Sequence, residues 1–294
     1  MNGVIVINKE AGFTSFDVVA IVRRLCRPYK VGHTGTLDPD ATGVLPVCIG
    51  NATRAADIMC GNDRKSDRAV MRLGSATDTY DASGKVTDKG DSSGITDEAL
   101  LDAVKLFTGD IMQIPPMYSA IKVGGKKLYE LAREGKEIER KERPVTIHSL
   151  KIVSRDGDDI VLDIDCSKGT YIRSLCHDMG LKLGCFAHMA QLQRTKSGNF
   201  TIDDAVKLSE LSDISDIEKH LIPTERLFDY PDFTVSEKQE RLVKNGVSAY
   251  CSGEEGMYRV FNNKGEFLSV SEIVTIDGQK CLKLVKSFYG ESGK

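Results

Sequence analysis

The stretch with the residue types to do chemistry is Gly32-His33-Thr34-Gly35-Thr36-Leu37-Asp38-Pro39-Asp40-Ala41-Thr42-Gly43-Val44-Leu45-Pro46-Val47. Gly32, Gly35 and Gly43 permit positive φ and close backbone approach. Pro39 pushes Asp38 towards an extended conformation. Asp38 is then a carboxylate held on a tight loop, with Asp40 as its acidic neighbour. A carboxylate so held can act as a nucleophile or as a base. The same string reads equally as a plain turn, because Asp-Pro-Asp among glycines is ordinary turn chemistry. A phosphate-cradling loop of a metabolic enzyme is a weaker reading, since no lysine follows the glycines. Residue types and spacing alone leave turn and positioned carboxylate both open.

The elements that must position this loop are readable around it. Val4–Ile7 reads as a strand, followed by a turn at Gly12. Thr14 with Asp17 three residues on is a capping-box-like start for a helix from about Ser15 to Arg27. Val18, Ile21, Val22 and Leu25 share one face of it. Residues 61–95 read as short strand-like pieces around polar turns. Thr96 caps a helix to about Phe107, with Gly109 just past its end. Val145–Val153 and Ile160–Ile164 read as strands, and Tyr171 to Leu183 as a helix ended by Gly184. Strands interleaved with helices, without a regular βαβ rhythm, predict an α+β fold. The texture changes near Pro223–Pro231. A short helix to about Lys244 and strands at Tyr258–Phe261, Phe267–Val270 and Lys280–Val285 then predict a small β domain.

The chain has 294 residues, of which 40% are hydrophobic and 28% charged, with a formal net charge of −3. That balance excludes a uniformly basic nucleic-acid coat. Apolar runs are far shorter than the ~18–20 residues of a membrane span, and the N-terminus lacks the basic region of a signal peptide. These features predict a cytoplasmic protein. The eight cysteines (26, 48, 60, 166, 176, 185, 251 and 281) form no C-x-x-C pair, so they read as free thiols rather than as a zinc site. Charge is uneven. No acid lies between Asp17 and Asp38, where Arg23, Arg24, Arg27 and Lys30 occur. Lys122 to Arg143 holds eight basic residues and five acids, whereas Ser197 to Glu240 holds eleven acids and four basic residues. Local basic clusters of this kind reach phosphates, or serve as solvated faces laced with ion pairs.

The Gly32–Val47 segment closely resembles the catalytic motif G-H-T-G-x-L-D-P-x-A-x-G-x-L of the TruB-type pseudouridine synthases. The resemblance is ordered along about 5–200. It runs through Asn8-Lys9-Glu10-Ala11-Gly12-Phe13-Thr14-Ser15, Gln113-Ile114-Pro115-Pro116-Met117-Tyr118-Ser119-Ala120-Ile121-Lys122 with Gly125-Lys126-Lys127-Leu128-Tyr129, and Arg143-Pro144-Val145. Ser167-Lys168-Gly169-Thr170-Tyr171-Ile172-Arg173-Ser174-Leu175, Ala187-His188 and Leu192-Gln193-Arg194-Thr195 complete it.

That resemblance implies a pseudouridine synthase fold: a mixed, mainly antiparallel sheet flanked by helices, followed by a PUA-like β domain. It implies a catalytic domain over 1–225, with an RNA-gripping insertion at about 112–143, and the β domain over 232–290. It implies isomerisation of uridine 55 in the T arm of tRNA, with no cofactor and no metal, by a monomer. Asp38 would be the catalytic nucleophile or base, and His33 would fill the space left by the flipped base. Tyr171 would cover the base. Arg173 would pair with Asp38 and keep it ionised. Leu192 would form a pocket wall, while Lys9 and Arg54 would contact phosphate or orient the pocket. Lys122, Lys126, Lys127 and Arg133 would meet the RNA backbone.

One departure stands out. Where the family has K-x-Y about thirty residues after the catalytic Asp, this chain has Lys65-Ser66-Asp67. Asp67 therefore stands where the resemblance implies a base-stacking tyrosine, with no other Tyr nearby in sequence, and it would add a second negative charge near Asp38. Glu10 in place of a family proline is a milder departure. Asp67 makes a catalytically impaired tRNA-folding chaperone the alternative reading.

Overall fold

The computed structural model describes residues 1–56 and 64–290. Its larger sheet begins with β1 (Gly3–Lys9), which leads through a turn into helix α1 (Ser15–Leu25) and then β2 (Val31–His33) and β3 (Thr42–Ile49). β4 (Arg64–Leu73), the small pair β5 (Ser75–Thr77) and β6 (Val86–Lys89), α2 (Asp97–Leu106) and β7 (Gly109–Gln113) follow. A hairpin, β8 (Lys122–Val123) and β9 (Lys126–Lys127), carries α3 (Leu128–Arg133). β10 (Arg143–Asp156), β11 (Asp159–Ser167), α4 (Ile172–Leu183) and β12 (Ala187–Ser197) come next. β13 (Phe200–Thr201), α5 (Ile214–His220) and β14 (Ile222–Pro223) close this part of the chain.

The sheet order is β14-β1-β3-β12-β4-β11-β10-β7. Its pairs are antiparallel except β12 against β3, which run parallel through Gln193↔Thr42 and Arg194↔Gly43. β1 is buried on both faces, which is why it reads as an unbroken apolar run. One face packs with α1 (Val18, Val19, Val22) and the other with Val44, Cys48 and Ala52. β11 alternates instead. Ile160, Leu162, Ile164 and Cys166 enter a core shared with α2 and α4.

The sequence reading of 61–95 as short pieces is corrected at β4, a ten-residue strand in the middle of the sheet. Its arginines disguise it. Arg64, Arg68 and Arg72 pair across the strand boundary with Asp165, Asp163 and Asp159, while Ala69, Met71 and Leu73 face the core. Residues 61–63 and Cys60 lie outside the described residues; the described cysteines are free thiols. The helix starts hold: Thr14 and Asp17 form a reciprocal capping box, and Thr96 caps α2.

After the larger sheet, β15 (Asp232–Thr234), β16 (Ala249–Tyr250), β17 (Gly256–Phe261), β18 (Phe267–Ile276) and β19 (Gln279–Ser287) form a five-stranded sheet in the order β15-β17-β18-β19-β16, with α6 (Glu237–Lys244) between β15 and β16 in the chain. It has its own core of Val235, Val243, Val260, Leu268, Ile273 and Leu282. A smaller cluster of Ala55, Phe228, Val270 and Phe288 joins it to the rest.

Candidate active site

The Asp38 loop is clamped from several directions. Lys9, at the end of β1, is fully buried and donates from Nζ to the carbonyls of Pro39 (2.8 Å), Phe13 (2.6 Å) and Glu10 (2.9 Å). Ser15, the first residue of α1, accepts from the Leu37 N–H (2.9 Å) and donates to the Leu37 carbonyl (3.1 Å). Arg194 of β12 donates from Nε to Val44 O and from Nη2 to Gly35 O, both at 2.8 Å. Gly43 has φ +98°, and a Cβ there would lie 2.1 Å from the Arg194 carbonyl, so only glycine allows β3 and β12 to approach this closely. The loop is a turn, closed by Ala41 N–H to Asp38 O at 3.1 Å, and it also holds a carboxylate in place.

That carboxylate meets Arg173 from the first turn of α4. Arg173 Nε is 3.0 Å from Asp38 Oδ2, and Nη2 is 3.3 Å from Oδ1. The remaining donors reach Tyr118 O (2.8 Å), Asp81 Oδ2 (3.3 Å) and Thr79 O (3.4 Å). A cation in the first turn of a helix opposes the helix dipole; two carboxylates and two carbonyls compensate. Tyr171 precedes α4, and its backbone exchanges two hydrogen bonds with the Gln113 side chain (2.8 and 3.0 Å). Gln113 thus locks the start of α4 to the end of β7.

Burial pushes the Asp38 carboxyl above the usual aspartate value; Arg173 opposes this, Asp81 adds to it, and Lys65 and Lys9 lower it. Its side chain keeps 39% of its surface open to solvent, which moderates the push. The pair with Arg173 thus forms as expected, while burial outweighs it. Burial also pushes the Lys9 ammonium down to about 8, against the pull of Asp40 and Asp38.

A partly exposed, arginine-bound carboxylate sits on the glycine loop that the motif order singles out, and comparison with known proteins agrees. The model of the TruB family pseudouridylate synthase N-terminal domain matches residues 23–172, and that of the tRNA pseudouridylate synthase B C-terminal domain matches 173–229. The chain belongs to the TruB family of pseudouridylate synthases. Relatives named tRNA pseudouridine synthase B include one from Clostridium perfringens, 47% identical over 92% of this chain and 95% of its own. Another, from Clostridium acetobutylicum, is 43% identical over 97% of this chain and 100% of its own. Among solved structures, a Cbf5-Nop10-Gar1 complex aligns with TM-score 0.70 and 24% identity over 98% of this chain and 85% of that one. The sheet, its helices and the C-terminal β domain are therefore the α+β pseudouridine synthase fold, with a C-terminal domain consistent with a PUA-like module.

Within this TruB frame, His33 ends β2, contacts the Thr36 hydroxyl at 3.4 Å and receives the ring edge of Phe16 at 5.5 Å. Burial, then Arg194, lowers its pKa. Leu192 is half-buried and packs against both main cores. Lys9 spends its donors on backbone carbonyls, which leaves it orienting the loop and out of reach of a phosphate. Arg54 ends the 3-10 turn Gly50–Arg54 after β3. Its neighbour Thr53 lies beside Gly32, 3.9 Å from where a Cβ there would stand, and Arg54 itself donates from Nη1 to Tyr289 O of the C-terminal domain at 3.2 Å.

Asp67 is 1% exposed and bound by Lys65 Nζ at 2.6 Å, so its carboxylate is turned into the protein. After burial, Asp81 is an acid that raises the Asp38 carboxyl. A tyrosine does return to the neighbourhood: Tyr80 lies between Thr79 and Asp81, but its ring is stacked on His177 of α4 at 3.9 Å. Asp81, Gln113, Lys65 and Arg194 were missed as site residues. Lys65, Gln113 and Arg194 lie in the quoted motifs and Asp81 outside them, and only the fold gives them these partners.

In the insertion, Lys122 is exposed and Lys126 pairs with Glu134 at 3.1 Å. Lys127 and Arg133 flank the Tyr129 ring at 5.3 and 5.4 Å. The basic calls at 122–133 thus gather on one small element.

Proposed function

We propose that this TruB-family chain isomerises uridine 55 in the T arm of tRNA to pseudouridine, without a cofactor. The observation that carries the reading is the bidentate Arg173 contact to Asp38 on the clamped loop. In the reaction the N1–C1′ bond breaks, the uracil turns, C5 bonds to C1′, C5 loses its proton and N1 gains one. Asp38 acts at the reacting nucleotide as nucleophile or base. Arg173 orients its carboxylate and holds charge as it forms. The target uridine must leave its stack, with His33 taking the vacated space and Tyr171 and Leu192 lining the pocket. Lys122, Lys126, Lys127 and Arg133 contact the RNA backbone, and the PUA-like domain over 232–290 extends the RNA surface behind a catalytic domain over 1–225.

The test is pseudouridine mapping of a T-arm stem-loop RNA incubated with purified protein alone. Wild type is expected to convert the target uridine, and Asp38→Asn to bind without converting it. Conversion by Asp38→Asn at an undiminished rate would remove Asp38 from the chemistry.

The burial of Asp67 against Lys65, where a ring is expected, favours one second reading: a tRNA-folding chaperone with impaired catalysis. It requires tight binding by wild type without turnover, and turnover restored by Asp67→Tyr.

A further inference from the structure

Phe16 is 67% exposed, although it is a large aromatic on a well-capped helix. The buried stripe of α1 is Val18, Val19 and Val22, so Phe16 is not needed for packing. Its neighbour Ser15 is hydrogen-bonded in both directions to Leu37, the residue before Asp38. The Phe16 backbone is therefore registered to the Asp38 loop. Its ring is T-shaped to His33, at 5.5 Å and 72° between planes, a contact that takes at most one of its two faces. Phe16, Ala20 and Arg23 recur at i, i+4 and i+7 on one exposed face of α1, and exposed Arg27 follows just beyond the helix. No acid occurs between Asp17 and Asp38.

We infer that the Phe16 ring is a stacking surface for the nucleotide adjoining the isomerised uridine, with the basic edge of α1 taking the following phosphates. A fixed aromatic face beside a cationic track is the arrangement that grips unstacked nucleotides without reading their sequence. Asp17, beside Phe16, is engaged by Thr14, and the run beyond it carries arginines and no acid up to Asp38, which favours RNA over a protein partner. This inference rests on the RNA-isomerase reading, and it assigns a contact to the neighbour of the target rather than to the target itself.

The test uses a T-arm stem-loop with 2-aminopurine immediately 3′ to the target uridine. Wild type is expected to quench its fluorescence on binding. Phe16→Ala is expected to lose the quench and to raise Kd roughly 5- to 150-fold, with the loss in KM rather than kcat. Phe16→Trp is expected to keep both, and Phe16→Leu to behave as the alanine variant. Unchanged Kd and quench in Phe16→Ala would overturn the inference, and would leave a protein or a second copy as the occupant of this face. Wild-type affinity in Phe16→Leu would also overturn it, because apolar contact would then suffice. Absence of pseudouridine from wild type would instead strike the isomerase reading, since binding and quench are read without turnover.

Discussion

Arg173 Nε lies 3.0 Å from Asp38 Oδ2, joining the first turn of α4 to a loop 135 residues earlier in the chain. The guanidinium meets both carboxylate oxygens, a planar fork that an ammonium cannot copy. Arg173→Lys is therefore expected to lower kcat by tenfold or more while Kd for RNA changes little. Equal losses in kcat and RNA affinity would point to a collapsed pocket instead.

Asp81 shares the same guanidinium and pushes the Asp38 carboxyl upward. In the proposed chemistry Asp38 acts ionised, so activity is expected to fall as pH drops through its pKa, which burial holds above the ordinary aspartate value. Asp81→Asn removes a charge that raises this pKa, so the acid limb of the pH–rate profile moves to lower pH. Arg173→Met removes a charge that lowers it, so the limb of the residual activity moves to higher pH. Limbs that stay in place would mean that another group titrates.

Gly43 tests the closeness of β3 and β12. With φ +98° and a Cβ site 2.1 Å from Arg194 O, Gly43→Ala must strain the turn or part the strands. The expected cost is about 2–3 kcal/mol, seen as a Tm lower by about 5 °C or more. Activity should fall further than stability, because Arg194 also holds Gly35 and Val44.

Asp67 and Lys65 form a buried pair, with Asp67 Oδ1 left without a partner. Asp67→Ala strands the Lys65 ammonium, with an expected loss of about 3 kcal/mol. Lys65→Met combined with Asp67→Leu should recover most of it, because paired apolar replacements remove both desolvation costs. Chemical denaturation of the two singles and the double measures the coupling; additive losses would show that the pair is not a unit.

The hairpin carrying Lys126 and Lys127 gives a salt-dependent prediction. The Lys126–Glu134 pair is exposed, and a phosphate can displace it. Reversing both lysines to Glu should weaken RNA binding and flatten the dependence of log Kd on log salt by about 1–2. An unchanged slope would remove this element from the RNA contact.

Much of the fold was legible because its signals are local. Capping at Thr14 and Thr96, the left-handed Gly184 stop, and the alternation of β11 each act within a few residues. β4 was not legible, because its polar face is satisfied by aspartates about ninety residues away, a pairing with no local trace. The Arg54 partner was not legible either, because Tyr289 lies 235 residues on and in the C-terminal domain.

By itself the sequence determined the family, the loop that bears Asp38 and the residues that could surround it, since motif order and glycine positions are properties of the chain. Only the tertiary structure decided the electrostatics. It set Asp81 beside the Arg173–Asp38 pair, buried Asp67 against Lys65, turned Lys9 inward, and committed Tyr80 to His177. Charges act through space and burial, and the parallel contact of β3 with β12 and the Arg173 bridge bring together groups that the chain keeps far apart.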